Sequence, residues 1–494
     1  MSTPRPRPYA LYALGLLALI NLLSYVNRSV VFALFEAIKH DLGVTDAQLG
    51  WVASAYVLVF SLAALPFGVL GDLRSRRAVI TGGVLVWSAF TVLSGAVHSF
   101  PALLVCRAAV GLGGAAFGAA SQSLVADYFP VRGRAFAMGI LSAGITVGGV
   151  LGIWLGGRLE AAYGWRTALV AVGLPGFLLA VLSARLRDPT RSLDRLSLRT
   201  YLRDVEMGLN AVARHFQPLI IGVVIGGITV LLLSRNADST GEVAVFGSAV
   251  ALGLAFNIRR WVLRISRVGD GAAPAGSLGG AFDELVRALA MVLHTPTLVY
   301  VFIGGALISF GMNGIVGWAP TFMSRELGLS VSQAAVLLGT WGLVAGTAGA
   351  LFGGILADWL RRYTDTSRVL TISFGLIIGG PLAIWLLTIR DMAHFVPIFC
   401  AAFFFLSWFN GPIAAVIFDV VPARISATVA GAYLLFIHLA GDTISFPLIG
   451  TLSDRFGISR AVLVLPTVAL LGGIVVLLAV RTVGRDMRRV GVSR

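Results

Sequence analysis

Charged residues are scarce in this sequence. Aspartate, glutamate, lysine and arginine together make up 12% of its 494 residues, against about 25% in an ordinary soluble domain. Cysteine is scarcer still, and Cys106 and Cys400 alone allow neither a disulfide framework nor a cysteine-ligated metal site. The sequence contains no Ser-x-x-Lys and no His-x-x-x-His arrangement, so the usual constellations of an enzyme are missing. We therefore expect neither an enzymatic activity nor a cofactor.

Apolar residues are abundant, at 57% of the chain, and the mean hydropathy is +0.89. Many runs of them are long enough to cross roughly 30 Å of hydrocarbon as helices. We therefore predict an all-α integral membrane protein. The runs form two sets of six: 11–35, 47–71, 78–97, 102–126, 134–157 and 165–184, and then 298–319, 332–357, 368–388, 394–418, 427–450 and 460–481.

Two shorter apolar runs, 218–233 and 243–258, lie between the two sets. They are marginal spans, and we predict that both cross, which gives twelve core spans and two extra ones. Amphipathic segments on either side of this pair are typical of helices that lie on a membrane surface. The predicted domains are an N-terminal six-helix bundle (1–185), a central linker with the extra pair (186–297), a C-terminal six-helix bundle (298–482) and a cytoplasmic tail (483–494).

The net charge of +15 arises because arginines cluster in alternate loops. Short cytoplasmic loops accumulate arginine and lysine, so this asymmetry predicts that both termini are cytoplasmic, in a cell (inner or plasma) membrane. A nucleic-acid-binding protein needs a solvated basic face, and no predicted domain carries one. The expected partners are the lipid bilayer and a small amphiphilic substrate, with protons as a further candidate. We expect a monomer.

Two polar segments recur in the second set of spans. "DYFPVRGRAFAMG" (127–139) matches "DVVPARISATVAG" (419–431) at its Asp, Pro, Arg, Ala and Gly, and "GVLGDLRSRR" (68–77) matches "GILADWLRR" (354–362). The two offsets, 292 and 286 residues, are nearly equal. The sequence therefore predicts a tandem duplication, the organisation of transporters whose substrate site lies at the repeat interface.

The segment "GVLGDLRSRR" resembles the signature loop of the major facilitator superfamily. Within that superfamily "NLLSYVNR", "YGWRTALVAVGLPGFLLA" and "GWAPTFMSRELGLS" make the chain most similar to the spinster-like group. The resemblance covers nearly all twelve core helices. It implies two pseudo-symmetric six-helix bundles that work by alternating access, with a lysolipid or a similar amphiphile as substrate. The organic-anion symporter group is the runner-up, because its first helix is similar.

The resemblance also gives a role to charged residues at the cytoplasmic ends of the helices. In this superfamily such residues hold the cytoplasmic side closed when the substrate cavity faces outward. The alternative is that they only record membrane topology. The gating candidates are Asp72, Arg76, Arg77, Asp127, Asp358, Asp419 and Arg424.

"SYVNRSV" (24–30) places Arg28 inside the first span, where a charge is costly and is normally kept by function or by a partner. Spinster-like proteins have an Asp-Arg pair here that couples protons to transport, and an acid in the fourth span. This chain has Asn27 and Gly114 at those positions, and an amide cannot exchange a proton, so coupling by that route is in doubt. Arg28 remains a strong bidentate donor for an anionic group, unless it is a structural arginine that caps a carbonyl.

Other polar and aromatic residues near the middle or the ends of the core spans are candidates to line a substrate site. Each has a simpler interpretation as a packing residue, or, for Arg107, as an interfacial arginine that reaches outward. The substrate-binding candidates are Tyr25, Asn27, Arg28, Arg107, Asn313, Trp408 and Asn410.

Asp442 and His438 lie four residues apart in the eleventh span, which places them on one helix face about 6 Å apart. A pair of this kind can take up and release a proton in the physiological range, and it is our candidate for proton coupling. The alternative is that His438 neutralises Asp442 as a packing device.

These observations predict a secondary transporter that works by alternating access and moves an amphiphilic, anionic organic molecule such as a lysolipid. Two alternatives stay open: a transporter or symporter of small organic anions or drug-like compounds, and a transport-deficient membrane sensor.

Overall fold

The computed structural model describes residues 8–73, 75–129, 131–187, 217–229, 287–422 and 425–491, with isolated residues between 245 and 263. Within these ranges the chain is helical and contains no strand, and eleven of its helices are long and apolar enough to span a membrane. The predicted all-α membrane fold is therefore confirmed. The chain divides into two compact units, whereas the exact domain limits given above stay a prediction.

The first unit comprises Met1–Val44, Ala55–Ile220 and Ala273–Ala281. Long apolar runs make up its helices, because a backbone in hydrocarbon must satisfy its hydrogen bonds internally. The helices in this part of the chain are α1 (Pro8–Ala33), α2 (Phe35–Leu42), α3 (Asp46–Leu73), α4 (Arg76–Ser94), α5 (Phe100–Tyr128) and α6 (Val131–Ser183).

Helix α6 is 53 residues long but is interrupted at Gly164, where φ is 78° and ψ is 162°. Only glycine adopts this backbone conformation readily. The interruption falls between the predicted runs 134–157 and 165–184, so α6 holds two consecutive spans. The eleven spanning helices thus account for the twelve predicted core spans.

Helix α6 packs closely on α1 through glycines. A Cβ atom added to Gly148 would lie 2.4 Å from the carbonyl oxygen of Leu22, and one added to Gly152 would lie 2.6 Å from that of Val26. Both distances are much shorter than a van der Waals contact, so a side chain at either position would clash. Only glycine permits the two backbones to approach this closely. This packing holds the α1 segment that carries Arg28.

The described part of the first extra apolar run is helix α7 (Gln217–Thr229). A Cβ atom added to Gly222 would lie 2.4 Å from the carbonyl oxygen of Ala249, so the two extra runs contact each other. Half of the run 243–258 and the whole of the first flanking segment, 198–216, lie outside the described residues. Whether the extra pair crosses the membrane stays a prediction.

The second unit comprises Thr45–Ser54, Ile221–Ala272 and Phe282–Arg494. Helix α3 therefore contributes to both units, since its first residues cluster with the second unit and the rest with the first. The remaining helices are α8 (Pro296–Leu327), α9 (Val331–Leu337), α10 (Leu343–Leu360), α11 (Ser367–Leu386), α12 (Met392–Leu406), α13 (Pro412–Val420), α14 (Ser426–Ile437), α15 (Thr443–Phe456), α16 (Ile458–Ala461), α17 (Val464–Leu477) and α18 (Val483–Arg489).

Two of these helix pairs are joined by a π-helical turn. The turns are Leu338–Gly342, between α9 and α10, and His438–Asp442, between α14 and α15. A π turn inserts one residue into an α-helix and is frequent at functional sites. The second of these turns contains both candidate proton-coupling residues.

An ion pair at one end of the helices is duplicated along the chain. Arg76 pairs with Asp127 in the first unit, and Arg368 pairs with Asp419 in the second. The separation from Arg76 to Arg368 and from Asp127 to Asp419 is 292 residues in both cases, which is the offset that aligns 127–139 with 419–431. The repeated ion pair supports the predicted tandem duplication.

Candidate substrate and proton sites

Arg28 lies in a cluster with Tyr25 and Tyr56 in the first unit. Its guanidinium carbon is 5.8 Å from the centre of the Tyr25 ring and 5.7 Å from that of Tyr56. A cation at this distance from an aromatic face is attracted by about 0.5–2 kcal/mol. Arg28 is partly exposed and Tyr56 is buried. Tyr56, a hydroxyl-bearing aromatic residue in the middle of the second span, was not among the predicted site residues.

Arg107 approaches the same ring from α5, with its guanidinium carbon 5.5 Å from the centre of Tyr56. Only 1% of the Arg107 side chain is exposed. Its Nη1 atom donates to the carbonyl oxygen of Asn27 at 3.2 Å and its Nη2 atom to that of Arg28 at 3.4 Å. Arg107 therefore fixes the backbone of α1 at Arg28, and it is buried rather than reaching outward.

Asn27 and Gly114, which stand where the spinster-like group has acids, are both in this cluster. Asn27 is buried, and its amide donates to the carbonyl oxygen of Leu23 at 2.9 Å. A Cβ atom added to Gly114 would lie 3.0 Å from the Tyr56 hydroxyl oxygen. The structure thus brings four substrate-binding candidates together around Tyr56: Tyr25, Asn27, Arg28 and Arg107.

A second polar cluster surrounds Asp442 in the second unit. Asp442 is fully buried, and its Oδ2 atom lies 2.7 Å from Nδ1 of His438. Its Oδ1 atom accepts hydrogen bonds from the Ser309 hydroxyl at 2.5 Å and from the Asn313 amide at 2.9 Å. Both donors belong to α8. The predicted pair is therefore extended by Asn313, which was predicted to bind substrate, and by Ser309, which was not predicted.

The π turn at His438–Asp442 sets this geometry. A Cβ atom added to Gly441 would lie 2.6 Å from the carbonyl oxygen of Ala306, so the turn sits directly on the α8 backbone. The Thr443 hydroxyl donates to the carbonyl oxygen of His438 at 2.9 Å. The π turn thereby directs the Asp442 carboxylate at Ser309 and Asn313.

A third polar cluster joins the start of α3 to the ends of α8 and α15. The Asp46 carboxylate, 1% exposed, accepts two bonds from Arg325, at 2.6 and 2.9 Å, and one from the Ser453 hydroxyl at 2.6 Å. The Asp454 carboxylate accepts from the backbone amides of Asp46 and Ala47, both at 2.9 Å. Asp454 thereby binds the free amides at the start of α3, where a negative charge is favoured. None of these residues was predicted.

Trp408 and Asn410 lie apart from both predicted clusters. The Trp408 ring packs on Phe352 and Phe405, with ring centres 5.1 Å apart in each pair, which is the environment of a packing residue. Asn410 is exposed, and its amide donates to the carbonyl oxygen of Ser407 at 3.1 Å. Substrate contact by these two residues stays a prediction.

Five of the seven gating candidates form contacts within their own unit. Besides the duplicated pair, Arg361 Nη1 lies 2.6 Å from Asp419 Oδ2, and Arg368 Nη2 lies 3.4 Å from Asp358 Oδ1. Arg77 donates weakly to the carbonyl oxygen of Leu186, at 3.5 Å. The side chain of Asp72 and the whole of Arg424 lie outside the described residues. A gating role for the set stays a prediction.

Two relatives support the resemblance seen in the sequence. The chain is 25% identical over 490 residues to an MFS-type efflux pump of Mycolicibacterium smegmatis, covering 96% of this chain and 94% of the pump. It is 27% identical over 388 residues to protein spinster homolog 1 of Homo sapiens, covering 70% of this chain and 73% of that protein. Neither relative supports the alternative of a transport-deficient sensor.

The same fold occurs in a crystal structure of a bacterial homolog to the human lysosomal transporter spinster, in its inward-facing and unoccupied conformation. That structure matches with a TM-score of 0.72 over 97% of this chain and 98% of its own, at 21% identity. A sequence profile described as Major Facilitator Superfamily matches residues 17–441. The chain therefore belongs to the Major Facilitator Superfamily, resembles its spinster-like proteins, and is a multi-pass membrane transporter rather than an enzyme.

Proposed function

We propose that this protein is a secondary transporter that moves an anionic amphiphile, such as a lysolipid, by alternating access. A substrate with a sizeable apolar part suits a chain with so few charged residues in its spans. One anionic group on the substrate would bind Arg28, because a guanidinium in a low-dielectric site is a strong bidentate donor to carboxylate or phosphate.

The observation that carries this proposal is the pair of arginines around Tyr56. Since the guanidinium carbons of Arg28 and Arg107 lie 5.7 and 5.5 Å from one ring centre, they are at most about 11 Å apart. Two like charges at that separation repel by about 1.5 kcal/mol or more at an effective dielectric constant of about 20. Among the described residues, no carboxylate forms an ion pair with Arg107. An anion bound at Arg28 would be attracted by both guanidinium groups.

The two arginines have different roles in the proposed site. Arg28 is partly exposed and would contact the substrate, whereas Arg107 is buried and donates to the carbonyl oxygens of Asn27 and Arg28. Arg107 therefore acts as a positioning residue, which holds the Arg28 backbone in place.

We assign the direction of transport as export. The Mycolicibacterium smegmatis relative is an efflux pump, and it aligns over nearly the whole of both chains. The arginine-rich loops support a cell membrane location with both termini in the cytoplasm. The substrate would then be collected from the cytoplasmic side.

Proteoliposomes that contain the purified full chain test this proposal. Fluorescent lysophosphatidylglycerol is placed in one leaflet, and its arrival in the other is followed by extraction with albumin. We expect flux well above that of protein-free liposomes and a loss of about tenfold or more in Arg28→Ala, since a hydrogen bond to a charged group contributes about 1.5–3 kcal/mol. Equal flux in wild type and Arg28→Ala would remove the role of Arg28.

A matched control is Arg158→Ala. Arg158 also lies over an aromatic ring, 5.5 Å from the centre of Trp154, but it is exposed. We expect its replacement to leave flux unchanged. Small organic anions remain the second candidate substrate, because a guanidinium binds a carboxylate whether or not a long tail is attached. Uptake of short-chain carboxylates together with no movement of lysolipid would select that candidate.

A further inference from the structure

The second unit contains a buried carboxylate that the proposed substrate site does not use. Asp442 is fully buried, while 24% of the His438 side chain is exposed. An ionisable residue inside a membrane span is costly, and chains of Asp, Glu and His in transporters commonly carry protons. We propose that the His438–Asp442 pair binds and releases the proton whose gradient drives transport, an inference that rests on the proposed transport function.

The two carboxylate oxygens of Asp442 have different partners, and this difference indicates which oxygen takes the proton. Oδ1 of Asp442 already accepts from the Ser309 hydroxyl and the Asn313 amide, so a proton on Oδ1 would displace a donor. Oδ2 lies 2.7 Å from Nδ1 of His438. In the charged state of the pair, the hydrogen between these two atoms is the Nδ1 hydrogen of the imidazole. An added proton therefore enters at Nε2 of His438, and the Nδ1 hydrogen passes to Oδ2. One proton taken from water changes the charge of the pair from −1 to 0, and its release restores the charge.

Access to this proton is through His438. The Asp442 side chain has no exposed surface, whereas the imidazole is partly exposed and in contact with Oδ2. Helix α8 presents Ser309 and Asn313 to the pair, and neither titrates in the physiological range. Tyr433, on the preceding turn of the same helix, packs on Phe302 of α8, with ring centres 5.4 Å apart. His438 is therefore the ionisable side chain that contacts Oδ2 of Asp442.

Protonation of Asp442 would change the hydrogen bonds that join it to α8. Hydrogen bonds to an ionised carboxylate are about twice as strong as those to a neutral group. The bonds from Ser309 and Asn313 therefore weaken when Asp442 loses its charge. Because the π turn rests on the α8 backbone at Ala306, this change acts directly on the contact between α8 and the segment His438–Asp442. A proton bound at Oδ2 can thus bias the conformational equilibrium of the second unit.

Infrared difference spectroscopy on the full chain in lipid tests proton binding without any transported substrate. The pH is changed between about 5 and 8, the range in which histidine titrates, and the protonated carboxyl is followed by its C=O stretch. We expect a carboxyl band that appears on acidification in the wild type, is absent in Asp442→Asn and has a shifted titration midpoint in His438→Gln. No titrating band in the wild type, or the same band in Asp442→Asn, would overturn the proposal.

The chain offers a matched control in a second histidine–aspartate pair. His394 Nδ1 lies 2.5 Å from Asp391 Oδ2, but both side chains are exposed at the start of α12. The hydrogen bond from His394 lowers the pKa of the Asp391 carboxyl below its usual value. We expect His394→Gln to leave the titrating band and transport unchanged. If Asp442→Asn does not fold, Ser309→Ala takes its place and must shift the midpoint, since it removes one donor to Oδ1.

A transport measurement separates failure of this inference from failure of the proposed function. Asp442→Asn should abolish accumulation of lysophosphatidylglycerol driven by a pH gradient, yet retain exchange of lysolipid across the membrane. Normal accumulation in Asp442→Asn rejects the proton site and leaves the transporter intact. No exchange in the wild type rejects the transport proposal itself, while the infrared band still decides whether the pair binds a proton.

Discussion

Arg325 binds both carboxylate oxygens of Asp46, at 2.6 and 2.9 Å, and so ties the start of α3 to the end of α8. Because Asp46 is 1% exposed, loss of Arg325 removes a cation and two hydrogen bonds from a buried carboxylate. Breaking such a pair costs about 3–5 kcal/mol, so we predict a drop of this order in the free energy of unfolding of Arg325→Ala. Chemical unfolding of the purified protein measures it.

The control for this prediction is Arg390→Ala. Arg390 pairs with Glu326, the residue next to Arg325, but the arginine is exposed. A surface ion pair contributes about 0–1 kcal/mol, so this variant should unfold close to the wild type. Equal losses in Arg325→Ala and Arg390→Ala would contradict a buried role for Asp46.

Gly148→Ala should destabilise the first unit, because its Cβ would lie 2.4 Å from the carbonyl oxygen of Leu22. Overpacking of this kind costs about 1–3 kcal/mol. The adjacent Gly149 is the control, since a Cβ there meets its nearest atom, the Ser29 hydroxyl oxygen, at 3.7 Å. Thermal unfolding in detergent should give a lower midpoint for Gly148→Ala than for Gly149→Ala, and the reverse order would refute the close packing of α1 and α6.

Ser54 supplies a hydrogen bond that the helix itself cannot make. Its hydroxyl donates to the carbonyl oxygen of Thr443 at 2.7 Å, and the residue four positions later is Pro447, which has no amide hydrogen. Ser54→Ala should therefore cost about 1 kcal/mol. The cost should shrink when Pro447→Ala restores the missing donor, and a double-mutant cycle with fully additive losses would speak against this compensation.

Asp419 should matter more for stability than Asp358. Asp419 is mostly buried and pairs with both Arg361 and Arg368, whereas Asp358 is exposed and lies 3.4 Å from Arg368. Asp419→Asn leaves two arginines without their shared anion, and we predict a loss of about 1–3 kcal/mol. Asp358→Asn should lose less than about 1 kcal/mol. Chemical unfolding of both variants under the same conditions measures which of them loses more free energy of unfolding.

The membrane-spanning helices could be predicted from the sequence because the requirement for crossing a bilayer applies to each segment by itself. Each span must be a long apolar helix, and a run of apolar residues is visible directly in the sequence. The break at Gly164 likewise falls between two predicted runs. The pairing of His438 with Asp442 was also predictable, since a spacing of four residues fixes their helix face.

The partners of these residues could not be predicted, because they are distant in sequence. Asp46 and Arg325 are 279 positions apart, and no local pattern relates them. In the sequence, Ser309 and Tyr56 do not differ from other residues of apolar spans. Their contacts with Asp442 and Arg28 form only in the folded protein. The π turn at His438–Asp442 depends on contact with α8, which periodicity along the chain does not record.

The most direct test of the proposed transporter is its discrimination between a charged and an uncharged amphiphile with the same tail. The measured quantity is the ratio of proteoliposome flux of lysophosphatidylglycerol to that of the matching monoacylglycerol, in the wild type and in Arg28→Gln. A charge-assisted bond of about 1.5–3 kcal/mol predicts a wild-type ratio of about ten or more that falls to about one in Arg28→Gln. A ratio that Arg28→Gln leaves unchanged would contradict an anion-binding role for this arginine.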